Sequence, residues 1–383
     1  MRIIFWGTYD TGKPRNRILL EGLRKSGVEV IECRTDIWSG VEDKSQVKGL
    51  LSKISFLLRW LFSYPSLIFR YLRLPRHDVV FVGYLGQLDV LILWPFALLR
   101  RTPIAWDAFI SLYDTVICDR KMVSKNHPLA LALYCWEWLA CRAADLVILD
   151  TRSHADFFVD EFHISAEKTG AVPVGAEEDR FYPLSPPAPT EKPSPSTSPK
   201  TTLLFYGQFI PLHGISTIIQ AARILKDEPV RWIIIGSGQE TDKIRKMLDE
   251  QPLSHLEWIE WVPYEKLIDH ISHADICLGI FGASKKAARV IPNKVYQILA
   301  AGKPVITRDS PAIRELLSPT DPGVFLVPPA DPQALAEVVQ TIAQESSKIF
   351  CEPLHREICK QVSIQAIGTK LSALLTSLSK SSQ

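Results

Sequence analysis

Residues 201–236 read TTLLFYGQFIPLHGISTIIQAARILKDEPVRWIIIG, an apolar run closed by glycine, a helical stretch, and a second apolar run closed by glycine. From Ile215 to Leu225 the apolar residues recur at helical spacing, while both flanking runs are apolar without alternation. Unbroken apolar runs suit parallel strands covered by helices on both faces, so the unit is strand, helix, strand of an α/β fold. Working outward, a helix is expected around Glu240 to Asp249 and strands at LEWIEW (256–261), Ile276 to Ile280, Val305 to Thr307 and Val324 to Val327. The same alternation precedes the unit, with strands at Ile3 to Trp6, Val28 to Ile31, Val79 to Val82, Pro103 to Trp106 and Leu146 to Leu149. The fold class is α/β with two doubly wound, Rossmann-like sheets.

The segment SPPAPTEKPSPSTSPK (185–200) separates them. Its prolines remove backbone donors and its few apolar groups cannot start a core, so it reads as a linker. The expected domains are residues 1–184, the linker 185–200, a second domain 201–355, and a C-terminal helix near 356–383 that packs back on the first domain. Doubly wound sheets bind ligands beyond the carboxyl ends of their strands, which leads us to expect a site in a cleft where the two domains face each other.

Composition sets bounds on function. A chain of 383 residues with 46% hydrophobic and 22% charged residues is ordinary globular material. A net charge of +2 is too small for a general nucleic-acid binder. The seven cysteines show neither CxxC nor zinc spacing and read as reduced thiols, with no metal site. MRIIFWG enters a strand directly, so no signal peptide is expected and the chain reads as cytoplasmic. The lipid-like window Ile54 to Leu74 contains Arg59, Arg70 and Arg73, and Leu88 to Leu99 is too short to span and is broken by Pro95.

Three strand-to-helix loops are candidates for chemistry. Gly7-Thr-Tyr-Asp-Thr-Gly12-Lys13-Pro14 approaches a phosphate loop, but Pro14 stands where a magnesium-binding hydroxyl is needed, which argues against a nucleoside triphosphatase. The loop is then either an ordinary solvated basic helix start or a place where Gly7 allows close backbone approach and Lys13, Arg15 and Arg17 supply charge. Gly236-Ser-Gly238-Gln-Glu suits backbone contact with a phosphate or ribose but lacks the third glycine of a dinucleotide fingerprint. In RVIPNKVYQILAAGKPVI (289–306), Pro292 suits the first turn of a helix and Gly302 its end. Asn293 and Lys294 then sit at an N-terminus where free N–H groups, the helix dipole and an ammonium favour a pyrophosphate, unless this is merely a surface lysine at a helix start.

Residues 292–306 resemble the asparagine-lysine, aromatic, acid, leucine-alanine, glycine-(lysine)-proline-valine signature of the family-4 retaining glycosyltransferases, which have the two-domain GT-B architecture. GQFIPLHG (207–214) is similar to the loop opening that family's donor domain, and VPVGAE (172–177) with RFYP (180–183) to its interdomain crossing. The resemblance covers nearly the whole chain. It implies a retaining glycosyltransferase taking a sugar from a nucleotide-sugar donor, needing neither cofactor nor metal, with Lys294 on the donor phosphates and front-face attack on the sugar. The leaving phosphate then takes the acceptor proton while Lys294, Asn293 and His213 offset its charge. Gly7, Gln208, Gly236, Gly238, Arg289, Asn293, Lys294 and Gln297 are the expected donor contacts.

Four positions depart from the family. Gln208 and His213 stand where it places cations, and Arg289 and Gln297 where it places two acids. Gln297 is expected to accept from a ribose hydroxyl through its amide oxygen, and Arg289 to restore positive charge near the pyrophosphate. In the first domain Asp107 is the candidate for orienting the sugar or acceptor hydroxyl, with Asp114, Asp119 and Arg120 close behind in sequence. Each of these acids also suits a helix cap or a surface charge. Trp261 either borders the base or belongs to the core.

Residues 44–77 carry Lys44, Lys48, Lys53, Arg59, Arg70, Arg73 and Arg76 without one acidic residue. Positions 47, 50, 51, 54, 57, 58, 61 and 62 form an apolar helical face and 45, 48, 52, 59 and 63 a polar one. Lys48, Lys53 and Arg59 are therefore expected to face an anionic membrane, placing the protein peripherally on its inner surface with a glycan or lipid-linked acceptor. The competing expectation is a helix packed on its own domain with solvated cations. At the level of the whole chain, a catalytically silent GT-B binding protein and a GT-B epimerase or phosphorylase remain the alternatives.

Overall fold

The computed structural model describes residues 1–37, 50–184, 201–345 and 354–381. The proline-rich segment 185–200, Lys44 and Lys48 lie outside these residues. The chain divides into two compact units, Met1–Gly175 with Ser363–Gln383, and Ala176–Val362.

The first unit holds β1 (Arg2–Gly7), β2 (Glu29–Arg34), β3 (Val79–Val82), β4 (Ile104–Asp107), β5 (Leu146–Leu149) and β6 (Thr169–Ala171). They form one parallel sheet in the order β2-β1-β3-β4-β5-β6. Its helices are α1 (Pro14–Lys25), α2 (Leu50–Leu72), α3 (Gln87–Arg100), α4 (Pro128–Ala143) and α5 (Arg152–Phe162). The second unit repeats the plan with β7 (Thr201–Tyr206), β8 (Val230–Ile235), β9 (Leu256–Ile259), β10 (Ile276–Leu278), β11 (Val305–Arg308) and β12 (Val324–Val327). These are ordered β12-β11-β10-β7-β8-β9, again all parallel. Helices α6 (Ile215–Ile224), α7 (Thr241–Glu250), α8 (Leu267–His273), α9 (Lys285–Arg289), α10 (Asn293–Ala300), α11 (Pro332–Glu345) and α12 (Arg356–Gln361) cover it, and α13 (Ile364–Ser381) belongs to the first unit.

The central strands are buried on both sides, as continuous apolar runs require: VVFV of β3 and LVIL of β5 are buried throughout. Trp6, Trp106 and Trp232 are fully buried and anchor the cores. Proline opens α1, Thr151 accepts from the His154 N–H to cap α5, and Gly302, at φ +67°, ends α10. α13 crosses α1 where Gly22 meets Gly368. A Cβ on Gly368 would lie 1.9 Å from the Gly22 carbonyl oxygen, so the two backbones touch and no side chain fits there.

Three expectations are corrected. β6 was not anticipated because its residues Thr-Gly-Ala make no apolar run. The helix expected from Arg356 to Leu378 is two, because Ser363 interrupts it and its hydroxyl accepts the Ala366 N–H to start α13 anew. On α2 the competing expectation, a helix packed on its own domain through this apolar face, fails for Leu57, Leu58, Leu61 and Phe62, which are exposed, while Tyr64, Leu67, Ile68 and Tyr71 are buried against the sheet. Aromatic groups with polar ends fill the inner side because buried acceptors await them there. Tyr64 donates to Asp89 at 2.6 Å and Trp60 to the Thr8 hydroxyl at 3.0 Å.

Candidate functional site

Each sheet has one point where the chain reverses its direction of growth, between β1 and β3 in the first unit and between β7 and β10 in the second. Ligands of open α/β sheets bind beyond the strands' carboxyl ends at such points. Both are marked by a glycine that only a residue without Cβ tolerates: Gly7 at φ +129° and Gly207 at φ +138°.

Beyond β7, a Cβ on Gly207 would lie 3.0 Å from the Lys294 Nζ and 3.2 Å from the His213 ring. The glycine thus opens a small space edged by an ammonium and an imidazole. Lys294 lies in the first turn of α10, whose N-cap Pro292 offers no side-chain cap and whose first turn has no acidic residue. Its Nζ is buried, sits 3.7 Å above the Phe205 ring centroid, and has no hydrogen-bond partner among the described residues. Burial pushes this ammonium well below the ordinary lysine range. A buried cation backed only by an aromatic face, at a helix N-terminus, is strongly biased toward an anion. His213 has Nδ1 against the Gln208 carbonyl oxygen and its ring edge-on to Phe205.

The other expected donor contacts fall into different roles. Gln208 is exposed and Asn293 half-buried beside Lys294. Gly236 and Gly238 have a packing reason: their Cβ positions would lie 1.9 Å from the Gly207 carbonyl oxygen and 2.8 Å from the Phe209 backbone. The Gly238 N–H is taken by Thr241 at 2.7 Å. Arg289 ends α9, half-buried. Gln297, expected to greet a ribose, is buried with both amide ends engaged. Its Oε1 accepts from Tyr206 at 3.1 Å, and its Nε2 donates to Tyr264 at 3.0 Å, which donates on to Glu177 at 2.9 Å. No sequence pattern announces this relay, since neither tyrosine lies near Gln297 along the chain. Arg308 was also missed. It is buried at the end of β11 with Nη1 on the Gly282 carbonyl, tying down the loop before α9. Trp261 lies beyond the end of β9 and is 69% exposed, so it is not core.

In the first unit the corresponding space is filled. A Cβ on Gly7 would lie 2.5 Å from Asp89 Oδ2. That carboxylate accepts from the Thr8 N–H at 2.8 Å, the Thr8 hydroxyl at 3.1 Å and Tyr64. Asp107 is wholly buried, with Arg15 gripping Oδ1 at 2.7 Å and Oδ2 at 3.1 Å while donating to the Val172 and Pro173 carbonyls. Burial pushes the Asp107 carboxyl up against the pull of Arg15. Two expectations change in consequence. Arg15 offers no free charge to a ligand, and Asp107, with both oxygens held, orients the backbone at 172–173 rather than a hydroxyl of a substrate. Asp114 and Asp119 are buried in a π-helical turn (114–119). The loop before it is clamped by Glu137, which accepts from Ser111 at 2.6 Å and from the Leu112 and Tyr113 N–H groups.

Of the residues expected to face a membrane, Arg59 is exposed and donates to the Ile37 carbonyl, and Lys53 lies within α2. No helix among the described residues is long and apolar enough to cross a membrane. Among them no three His, Cys, Asp or Glu side chains group as metal ligands.

Residues 189–360 match the family model described as glycosyl transferases group 1. Over 157 residues, 39% of this chain, the sequence is 27% identical to the probable glycosyltransferase WbjE of Pseudomonas aeruginosa, and the match spans 38% of that relative's length. In structure the chain is similar to sucrose-phosphate synthase of Thermosynechococcus elongatus, with a TM-score of 0.70, 17% identity and both chains covered completely. It is also similar to HepE of Anabaena in complex with UDP-glucose, with a TM-score of 0.65 and 16% identity over 98% of this chain and 100% of the other. The likenesses show the GT-B type of α/β fold.

Proposed function

We propose that this protein is a retaining glycosyltransferase that draws a sugar from a nucleoside diphosphate donor held by its second unit and passes it to a glycan or lipid-linked acceptor. The observation that carries the reading is the buried, partnerless Lys294 ammonium at the first turn of α10 beside the Gly207 space. The group 1 family match over this unit supports it, as does the UDP-glucose bound by HepE. In this reading the diphosphate replaces the missing partner of Lys294 and accepts from the free N–H groups of α10. As the glycosidic bond breaks, charge grows on the leaving phosphate, and Lys294, Asn293 and His213 stabilise it more than they stabilise the ground state. That same phosphate takes the proton of the incoming hydroxyl, so the new bond forms on the face the nucleotide leaves. Positive charge from side chains does this work, and activity is expected to persist in EDTA.

Gln297 in this reading supports α10 from within instead of contacting the ribose, and Asp107 shapes the first unit's loops through Arg15. The carboxylate-free stretch 44–77 supports a working place at an anionic membrane, reached from the cytoplasmic side.

The test is a thermal-shift screen of the whole chain against UDP, GDP and ADP and their sugars, followed by NMR of the product's anomeric configuration with the stabilising donor. A shift with one nucleoside diphosphate and a product retaining the donor's configuration is expected. No shift with any of them sinks the donor reading. Binding without turnover leaves a silent binding protein, and an altered free sugar indicates an epimerase.

A further inference from the structure

We propose that the outward face of α2 and α3 inserts its apolar side chains into the headgroup layer of an anionic bilayer. This deepens the membrane reading above and rests on it, replacing contact by charge alone with insertion.

The first observation is exposure. Phe62 and Leu99 are each 75% exposed, and Leu61, Phe69, Trp94 and Leu98 are exposed as well. Isolated exposed apolar residues are common, but a helix pair presenting several large ones marks an interaction surface. The two helices share this surface at one end. Arg100, closing α3, donates to the carbonyls of Tyr71, Leu72, Leu74 and Pro75 at and just after the end of α2, which ties the C-terminal ends of the two helices together.

The second observation is that α2 cannot roll to hide this face. Its inner side is fixed by Trp60 to Thr8, by Tyr64 to Asp89, and by the fully buried Leu67 and Tyr71. Turning the helix would strand the Asp89 carboxylate without its tyrosine, a buried charge losing a donor.

The third observation selects the occupant. The stretch 44–77 has no carboxylate. The guanidinium groups of Arg59, Arg70 and Arg100 reach carbonyl or hydroxyl oxygens, and Arg73 stacks on Phe69 at 3.9 Å. Among the described residues none of these four is in an ion pair with an acid. Apolar tips rimmed by arginines suit the acyl boundary below anionic headgroups, whereas two such basic faces would repel each other. With Lys53, Arg59 and Arg70 along it, α2 lies on a bilayer and does not cross it.

The experiment is co-sedimentation of the full chain with phosphatidylcholine vesicles, with and without phosphatidylglycerol. It compares wild type, Phe62→Ser/Leu98→Ser/Leu99→Ser, and Arg73→Glu/Arg76→Glu. Binding to the phosphatidylglycerol vesicles is expected, persisting in ~1 M salt where the screening length is about 3 Å. The triple serine variant should bind roughly tenfold or more weakly. Tryptophan emission should shift to the blue on binding, less so in Trp94→Phe. Binding abolished by salt and indifferent to the serine changes would overturn insertion while leaving the membrane reading intact. No sedimentation at any ionic strength would overturn both. Self-association lost in the serine variant, without sedimentation, would assign the face to a second copy instead. Nucleotide binding, measured separately by calorimetry, keeps these outcomes distinct from failure of the donor reading.

Discussion

The two units solve one topological problem in opposite ways. In each, a glycine at strongly positive φ ends the first strand of the sheet beside the reversal point, and a charged side chain stands where its Cβ would be. Beside Gly7 that charge is Asp89, which is fully buried but accepts from a backbone N–H, a threonine and a tyrosine. Beside Gly207 it is Lys294, equally buried and unmatched by any hydrogen-bond acceptor among the described residues. A satisfied buried charge is a fastener. An unsatisfied one costs stability until a ligand completes it, which makes it the better marker of a binding site.

The largest effect should come from removing the unmatched charge. Lys294→Met keeps the side chain's length and apolar stem, and it should lower affinity for the stabilising nucleoside diphosphate by ~100-fold or more, the order expected when a buried charge-assisted contact is lost. The same change should stabilise the ligand-free protein by about 1–3 kcal/mol, because a desolvated ammonium disappears. Calorimetry and urea unfolding read the two quantities. If Lys294→Met destabilised the free protein, its ammonium would have an unrecognised partner and the contrast with Asp89 would collapse.

The two glycines offer a sharper comparison. Alanine at either position meets positive φ and a close contact, so each should cost about 1–3 kcal/mol of stability. What should differ is binding. In Gly207→Ala the new methyl intrudes on the Lys294 Nζ and should weaken diphosphate binding about tenfold, a difference near 1.4 kcal/mol. In Gly7→Ala it presses on Asp89 Oδ2, 2.5 Å away, and diphosphate affinity should not change. Equal losses of affinity in both variants would mean that the two reversal points are not functionally distinct.

Much of this was legible in the chain. Continuous apolar runs such as VVFV and LVIL revealed buried parallel strands, and the Pro292 to Gly302 punctuation placed Lys294 at a helix N-terminus. What was not legible depended on contacts between distant residues. Tyr264 reaches Gln297 from 33 residues away, Arg15 reaches Asp107 from 92, and Thr8 meets Asp89 across 81. Each turned a residue that looked available to a ligand, or drew no notice, into part of the scaffold. On α2 periodicity marks apolar positions but not the direction they face, which depends on Asp89 waiting beneath for Tyr64. Short strands without an apolar run, β6 above all, leave no signal to read.

A further difference separates the two charges by pH. Burial raises the Asp89 carboxyl to about 6, against the pull of its Tyr64 and Thr8 donors, while in the unfolded chain it titrates near 3.8. Between those values the folded protein holds a proton that the unfolded chain has lost. Stability from this group is therefore fully present below the lower value and is lost as pH rises through the upper one. In Asp89→Asn nothing titrates at this position. The stability difference between wild type and variant should thus shift against wild type by about 2 kcal/mol between pH ~4.5 and ~7.5, at 1.36 kcal/mol per pKa unit. Lys294 gives the opposite slope. Its folded value lies below its unfolded one, so the unfolded chain binds the extra proton and rising pH favours the folded state relative to Lys294→Met. Urea unfolding over this range for Asp89→Asn, and on up toward the ordinary lysine range for Lys294→Met, distinguishes a buried acid that is fastened from a buried base that waits. A flat profile for Asp89→Asn relative to wild type would show that its hydrogen bonds outweigh burial, and a saturating diphosphate should flatten the Lys294 profile alone.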